Sequence, residues 1–222
     1  MRDTLKTKAY FDEYIKEESE RADKFKNKIE SGTLPADRVF PVKCKLCTIR
    51  INLLIAKYSA GVSIDELRNE FLQIISSVED CWSAESYDEN LRLLSLCVLF
   101  NADNDIRERA AKLIREKGEY DGLIECLRSG ELTDGASLCY PKVYGELRDI
   151  LIDGDTAKIK GYLQKKWYKS HRGSYWFDSH KSKEKLYFGY WAFETAALMK
   201  AMKIDAAGLD GAEYFPYDLY CC

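Results

Sequence analysis

The run from Val42 to Tyr58, VKCKLCTIRINLLIAKY, places apolar side chains almost all the way round a helical cylinder. A helix of that kind has no face to offer to water, so it is expected in the core of a helical protein. Its neighbours read as helices too. Lys6 to Ile29 is rich in Lys and Glu, with Ala9, Tyr10, Tyr14, Ile15 and Phe25 apolar or aromatic, which predicts a long, largely solvated first helix. Gly32, Pro35 and Pro41 are expected to break the chain before the second helix, and Ser59-Ala60-Gly61 to end that helix. Ser63-Ile-Asp-Glu66 fits a capping box, in which the serine hydroxyl accepts from a free helix amide, and opens a third helix toward Trp82. A fourth helix runs from about Asp88 to Phe100. A fifth starts at Asn104 or Asp105 and ends before Gly118, and a short sixth spans Tyr120 to Leu127.

In the C-terminal part, Val143 to Ile152 and Asp155 to Tyr168 read as helices separated at Asp153-Gly154. A last long helix is expected from Tyr187 to Met202, its stripe running through Tyr190, Trp191, Glu194 and Leu198. No stretch alternates long enough to argue for a sheet. The fold class is therefore all-α, a multi-helix, bundle-like protein with a short extended or hairpin segment near 174–186, around Tyr175 to Phe177.

Composition excludes several classes. Hydrophobic residues at 46% and charged residues at 32% suit a globular chain rather than a disordered one. The strongest apolar run, Leu91 to Phe100, is short and interrupted by Arg92 and Ser95, and the N-terminus lacks an unbroken apolar stretch, so a cytoplasmic protein is expected. Eight cysteines raise the question of zinc or disulfides. Cys44-Lys-Leu-Cys47 is a lone CxxC on an apolar helix, Cys221-Cys222 is a terminal pair, and Cys81, Cys97, Cys126 and Cys139 are scattered. A structural zinc site would bring a second close pair, so reduced thiols with no bound metal are expected.

Turn-forming residues concentrate from Gly130 to Pro141, and the charge differs across this stretch. Residues 1–140 hold 21 Lys and Arg against 26 Asp and Glu, a net of −5, whereas residues 141–222 hold 13 against 11, a net of +2. Two regions are expected, an acidic helical one over 1–130 and a C-terminal domain over 131–222, packed as one compact unit.

Trp167 to Lys181 holds both histidines of the chain and two of its four tryptophans. An enzyme would need His171, His180, Asp178, Glu194 and Asp218 to act as acid-base groups or metal ligands. The spacing argues otherwise. The histidines lie nine apart across Gly173, and the chain has no HExxH motif, no glycine-rich phosphate loop and no serine elbow. The same residues make sense as a framework: Trp167, Trp176, Asp178, His180, Tyr190, Trp191, Glu194, Tyr217 and Asp218. In it the buried Glu194 carboxylate is expected to find partners in His180, Lys181 or tyrosine hydroxyls. No catalytic residue and no cofactor is expected.

Four blocks carry a family resemblance: Lys165-Lys-Trp-Tyr168, Trp176-Phe-Asp-Ser-His-Lys181, Tyr187-Phe-Gly-Tyr-Trp-Ala-Phe-Glu194 with Thr-Ala-Ala after it, and Tyr214-Phe-Pro-Tyr-Asp-Leu219. Together they resemble the C-terminal domain of PoNi-type immunity proteins, the antidotes of PoNe toxins. Those toxins are polymorphic DNase effectors that bacteria deliver into competitors. The loop Asp205 to Glu213, with Ala206-Ala-Gly208, departs from the more acidic family pattern. The resemblance implies an all-helical, non-enzymatic protein whose partner is a cognate nuclease toxin, with no direct nucleic acid and no membrane. It implies masking of the toxin's active or DNA-binding surface. On charge alone the candidate contacts are Asp12, Glu13, Glu17 and Glu20 on the first helix and Glu85, Asp88 and Glu89 further on. Rival readings are a metal-dependent, phosphodiesterase-like helical enzyme, which would need His171 and His180 to converge with carboxylates, and a helical scaffold, which would show a repeat period absent here.

Overall fold

The structure, a computed structural model, describes residues 1–115 and 121–222. Among these every regular element is helical and no strand occurs. The chain divides into two compact units, Met1–Ser83 with Asp178–Gly189, and Ala84–Phe177 with Tyr190–Cys222. Each unit is therefore built from two separate stretches of the sequence. The turn-rich stretch at 130–140 is a loop inside the second unit.

In the first unit α1 (Lys8–Glu30) is capped by Thr7, whose side chain accepts from the Tyr10 amide, and buries only Phe11 and Tyr14. It lies along α2 (Ala36–Ala60), which buries Ile49, Ile51, Leu53, Leu54, Ile55 and Tyr58 among others, as its all-round apolar pattern requires. This helix starts six residues earlier than expected and contains Pro41 rather than being stopped by it. Pro41 falls in the second turn on an exposed face, where the one amide it lacks leaves the Asp37 carbonyl within reach of water. Gly61 ends α2 at φ 98°, a left-handed conformation that glycine adopts without steric cost, and its amide donates to the carbonyls of Lys57 and Tyr58. Ser63 caps α3 (Ile64–Ile75) by accepting from the Glu66 amide, and a separate short helix, α4 (Val78–Cys81), precedes Trp82.

The chain start is tied down in the same unit. The amides of Arg2 and Asp3 donate to the Ser59 carbonyl at 3.0 and 3.1 Å, and the Arg2 guanidinium lies over the Tyr58 ring. The buried Asp3 carboxylate accepts from the amides of Leu5 and Lys6 and from the Tyr187 hydroxyl. Tyr187 is itself clasped by Tyr10, whose hydroxyl donates to its carbonyl and accepts from its amide, both at 3.0 Å. The Ser59 hydroxyl donates to the Phe188 carbonyl at 2.9 Å. These bonds fasten the 178–189 segment to the N-terminal helices.

In the second unit α5 (Tyr87–Leu99) is buried on nearly every side and packs against α6 (Asn104–Arg115), α7 (Gly122–Ser129) and α11 (Phe193–Ala201). The expected end of the fifth helix near Gly118 and the expected start of the sixth at Tyr120 lie outside the described residues. Asp121 caps α7, accepting from the Leu123 and Ile124 amides with one oxygen and from the Cys139 amide with the other. Then come α8 (Pro141–Asp153) and α9 (Thr156–Tyr162), the latter capped by Asp155. From α9 the chain runs without a break through a π-helical segment, Leu163–Trp167, into α10 (Tyr168–Ser170).

Two expectations are corrected here. Residues 174–181 are not extended, and no hairpin forms near 174–186. The Ser174 amide donates to His171, the Phe177 amide to Ser174, and Ser179–Lys181 forms one 3-10 turn after Asp178 at φ 59°, so local three-residue bonds satisfy the backbone. The last long helix begins at Phe193, not Tyr187. Gly189 at φ 125° interrupts the run, and the amides of Tyr187 and Ala192 are taken by the Tyr10 hydroxyl and the Tyr214 carbonyl, which leaves no helical ladder to build. A final short helix, α12, spans Tyr217–Tyr220.

Candidate functional site

The π segment shapes the centre of the second unit. Its wider turn shifts the helical register just before Trp167, whose indole is 2% exposed and donates through Nε1 to Glu194 Oε1 at 2.6 Å. The Thr195 hydroxyl donates to the same oxygen at 3.2 Å. In place of the expected His180, Lys181 or a tyrosine hydroxyl, the side chains that donate to Glu194 are Trp167 and Thr195. Burial pushes the Glu194 carboxyl above the usual carboxylate range. His171, Trp167, the first-turn amide and Thr195 each pull it back.

His171 continues the network. Its Nδ1 lies 2.7 Å from the Trp167 carbonyl, and since a carbonyl only accepts, the proton sits on that nitrogen. Its Nε2 lies 3.3 Å from the Tyr144 hydroxyl, which donates to Asp88 Oδ1 at 3.2 Å, while Ser174 donates to Asp88 Oδ2 at 2.6 Å. Burial and the nearby Asp88 and Glu194 carboxylates drive the Tyr144 hydroxyl well above its ordinary value, so it stays protonated. Aromatic rings enclose this line of polar groups. Trp167 and Trp176 stack at 5.6 Å and 19°, Trp167 meets Tyr214 at 4.8 Å, and Tyr168 meets Phe177, Tyr190 and Tyr214 at 4.6, 5.1 and 5.9 Å. Trp176 also meets Tyr190 at 5.3 Å. Chemically this is a fixed scaffold, in which each carboxylate already accepts two hydrogen bonds.

The structure gathers Trp167, Trp176, Tyr190 and Glu194 into one cluster. Trp191 is half-buried beside Tyr190, and Tyr217 and Asp218 lie on α12, where Asp218 accepts from the Leu219 amide at 3.0 Å. Asp178 and His180 lie in the other unit. There Asp178 pairs with Lys181 at 2.9 Å, and His180 meets the edge of Tyr187 at 6.3 Å, with partial burial lowering its basicity. His171 belongs to one compact unit and His180 to the other. Among the described residues no group of three or more His, Cys, Asp or Glu could hold a metal ion, and no helix is long and apolar enough to cross a membrane. Tyr144 was not singled out from the sequence, and Tyr168 and Tyr214 entered only as members of the family blocks, with no framework role. The part each plays in the cluster depends on contacts far along the chain.

The acidic candidates fall into two sets. Asp12, Glu13, Glu17 and Glu20 stand exposed on α1; Asp12 pairs with Lys8 at 2.8 Å, and Lys185 bridges Glu13 at 2.9 Å and Glu17. Glu85 is exposed ahead of α5. Asp88 is half-buried and engaged by Tyr144 and Ser174, and Glu89 reaches Arg92 at 3.7 Å. Arg92 in turn donates to the Tyr175 hydroxyl at 2.9 Å.

A search of curated proteins gives no match. Among solved structures the chain is similar to protein PA2201 from Pseudomonas aeruginosa, with a TM-score of 0.70 at 18% identity over 96% of this chain and 87% of that one, a likeness of fold. The family models for PoNe immunity proteins match on both sides, the N-terminal one over residues 2–112 and the C-terminal one over 120–219. With both models matched in order over nearly the whole length, the chain belongs to the PoNe immunity proteins, a family of inhibitors rather than enzymes.

Proposed function

We propose that this protein binds a cognate polymorphic DNase toxin in the cytoplasm and blocks the toxin's active or DNA-binding surface. Membership of the immunity family carries this reading. Charge supplies the mechanism: a nuclease is basic where phosphates bind, so exposed carboxylates steer an inhibitor to that surface and then occupy it. The candidates that present such carboxylates are Asp12, Glu13, Glu17 and Glu20 on α1 and Glu85 before α5. The aromatic cluster around Trp167 and Glu194 serves as the scaffold rather than the contact surface.

The test pairs rescue with mapping. Co-expression with the cognate toxin should restore the growth that the toxin alone arrests, and the two chains should co-purify with an affinity tighter than about 10⁻⁹ M, in the range of tight nuclease–immunity pairs. Combined Glu13→Lys, Glu17→Lys and Glu20→Lys reversal should weaken that affinity at least tenfold while the fold survives, its stability lowered only by loss of the exposed Lys185 pairs. Reversal without effect would remove α1 from the interface. Absence of both rescue and complex would sink the reading.

A further inference from the structure

In the first unit, a half-open cleft of about 230 Å³ is lined by α1, α2, α3 and the α4 region. Two cysteines of its wall, Cys47 on α2 and Cys81 at the end of α4, face the same space, on helices that pack together. Arg50, one turn beyond Cys47, lines the same cleft, and Cys81 Sγ lies 3.3 Å from the Ser77 carbonyl. We propose that Cys47 and Cys81 are a peroxide-oxidisable dithiol, a modification site whose disulfide product fastens α4 to α2.

The two thiols are unequal. The neighbouring Cys47 thiol holds the Cys81 thiol below its ordinary value, aided by Arg50 and opposed by burial and by Asp80, while Cys81 and burial push Cys47 up, with Cys44 adding to that rise. Cys81 is the attacking sulfur. Its thiolate attacks one oxygen of a hydroperoxide, the O–O bond breaks, and the departing oxygen takes up a proton and leaves as an alcohol or water. Cys81 is then a sulfenic acid. Cys47 attacks that sulfur, the S–O bond breaks, and the oxygen leaves as water with the Cys47 proton. The sulfur pair loses two electrons and the peroxide gains two. The other interior thiols are poorly placed for this chemistry, since burial pushes Cys97 and Cys126 up to about 12. The exposed Cys221 and Cys222 are a competing target.

The experiment uses the full chain with Cys221→Ser and Cys222→Ser, reduced, titrated with hydrogen peroxide, quenched with an alkylating agent and mapped without reductant. The expected product is a peptide pair joined through Cys47 and Cys81, formed before Cys44, Cys97, Cys126 or Cys139 reacts. It should raise the melting temperature and revert with dithiothreitol. In a Cys47→Ser chain, Cys81 should stop at a sulfenic acid captured by dimedone, and Arg50→Gln should slow the first step severalfold. Joining of Cys44 to Cys81 instead, or alkylation of Cys47 and Cys81 at the same rate before and after peroxide, would overturn the proposal. So would over-oxidation of Cys81 with Cys47 still free. The capture in Cys47→Ser reports on Cys81 even if the disulfide variants fold poorly.

Discussion

Burial of the Glu194 carboxylate at the start of α11 costs solvation that the Trp167 indole, the Thr195 hydroxyl and a first-turn amide offset. Removing the carboxylate leaves the indole N–H without its acceptor in a low-dielectric interior. Glu194→Ala should therefore destabilise the protein by about 3–5 kcal/mol, and an ordinary melting temperature for that variant would refute the framework role. The pH dependence has a definite sign. A carboxyl whose folded value is raised above its unfolded one contributes stability that is full below the ordinary value of 4.5 and is lost as pH rises through the raised value. In urea titrations the wild type should lose stability relative to Glu194→Gln as pH climbs above 4.5. A parallel pair of curves would show that Glu194 ionises as freely as it does in the unfolded chain.

Among the elements, the π segment at Leu163–Trp167 has the most specific consequence. A π turn amounts to one extra residue in an α-helix, and each residue advances the side-chain direction by about 100°. Deleting Lys165, an exposed residue within it, should remove the bulge and restore α geometry while Trp167 keeps its direction toward Glu194, because the widened turn is what absorbs the extra residue. The expected result is retention of both the near-ultraviolet circular dichroism of the stacked tryptophans and the far-ultraviolet helicity; loss of the near-ultraviolet signal would show that the extra residue itself positions Trp167. The sequence reads as a plain helix through this stretch, because a local pattern records which residues are apolar and not whether a turn is widened to meet a distant partner. For the same reason the last helix was expected too early. Tyr187, Tyr190 and Trp191 satisfy helical spacing, yet the Tyr10 hydroxyl and the Tyr214 carbonyl claim the amides of Tyr187 and Ala192. The caps at Ser63, Asp155 and Gly61 depend only on near neighbours, and these were legible.

At the scale of the whole molecule, charge is distributed differently from its order along the chain. By sequence the first 140 residues are the acidic part. By compact unit, Met1–Ser83 with Asp178–Gly189 holds 17 Lys and Arg against 16 Asp and Glu, a net of +1, which leaves the second unit at −4. Lys181, Lys183 and Lys185 make much of the difference, and Lys185 sits directly against Glu13 and Glu17. If charge steers the inhibitor to its toxin, the association rate should fall steeply from 50 to 500 mM salt, roughly as the screening length contracts below 10 Å, while the dissociation rate changes little. A rate insensitive to salt would point to an apolar interface instead.

The sequence by itself determined the helical class, the burial of α2, most helix starts and stops, and the aromatic blocks that place the chain in its family. Each of these rests on side chains within a turn or two of one another. Only the tertiary structure decided that Glu194 meets Trp167, that His171 and His180 belong to different compact units, and that residues 178–189 join the N-terminal helices. Those outcomes depend on which buried donors and acceptors find each other across as many as 184 positions, as Tyr187 does with Asp3, and no local periodicity encodes that choice.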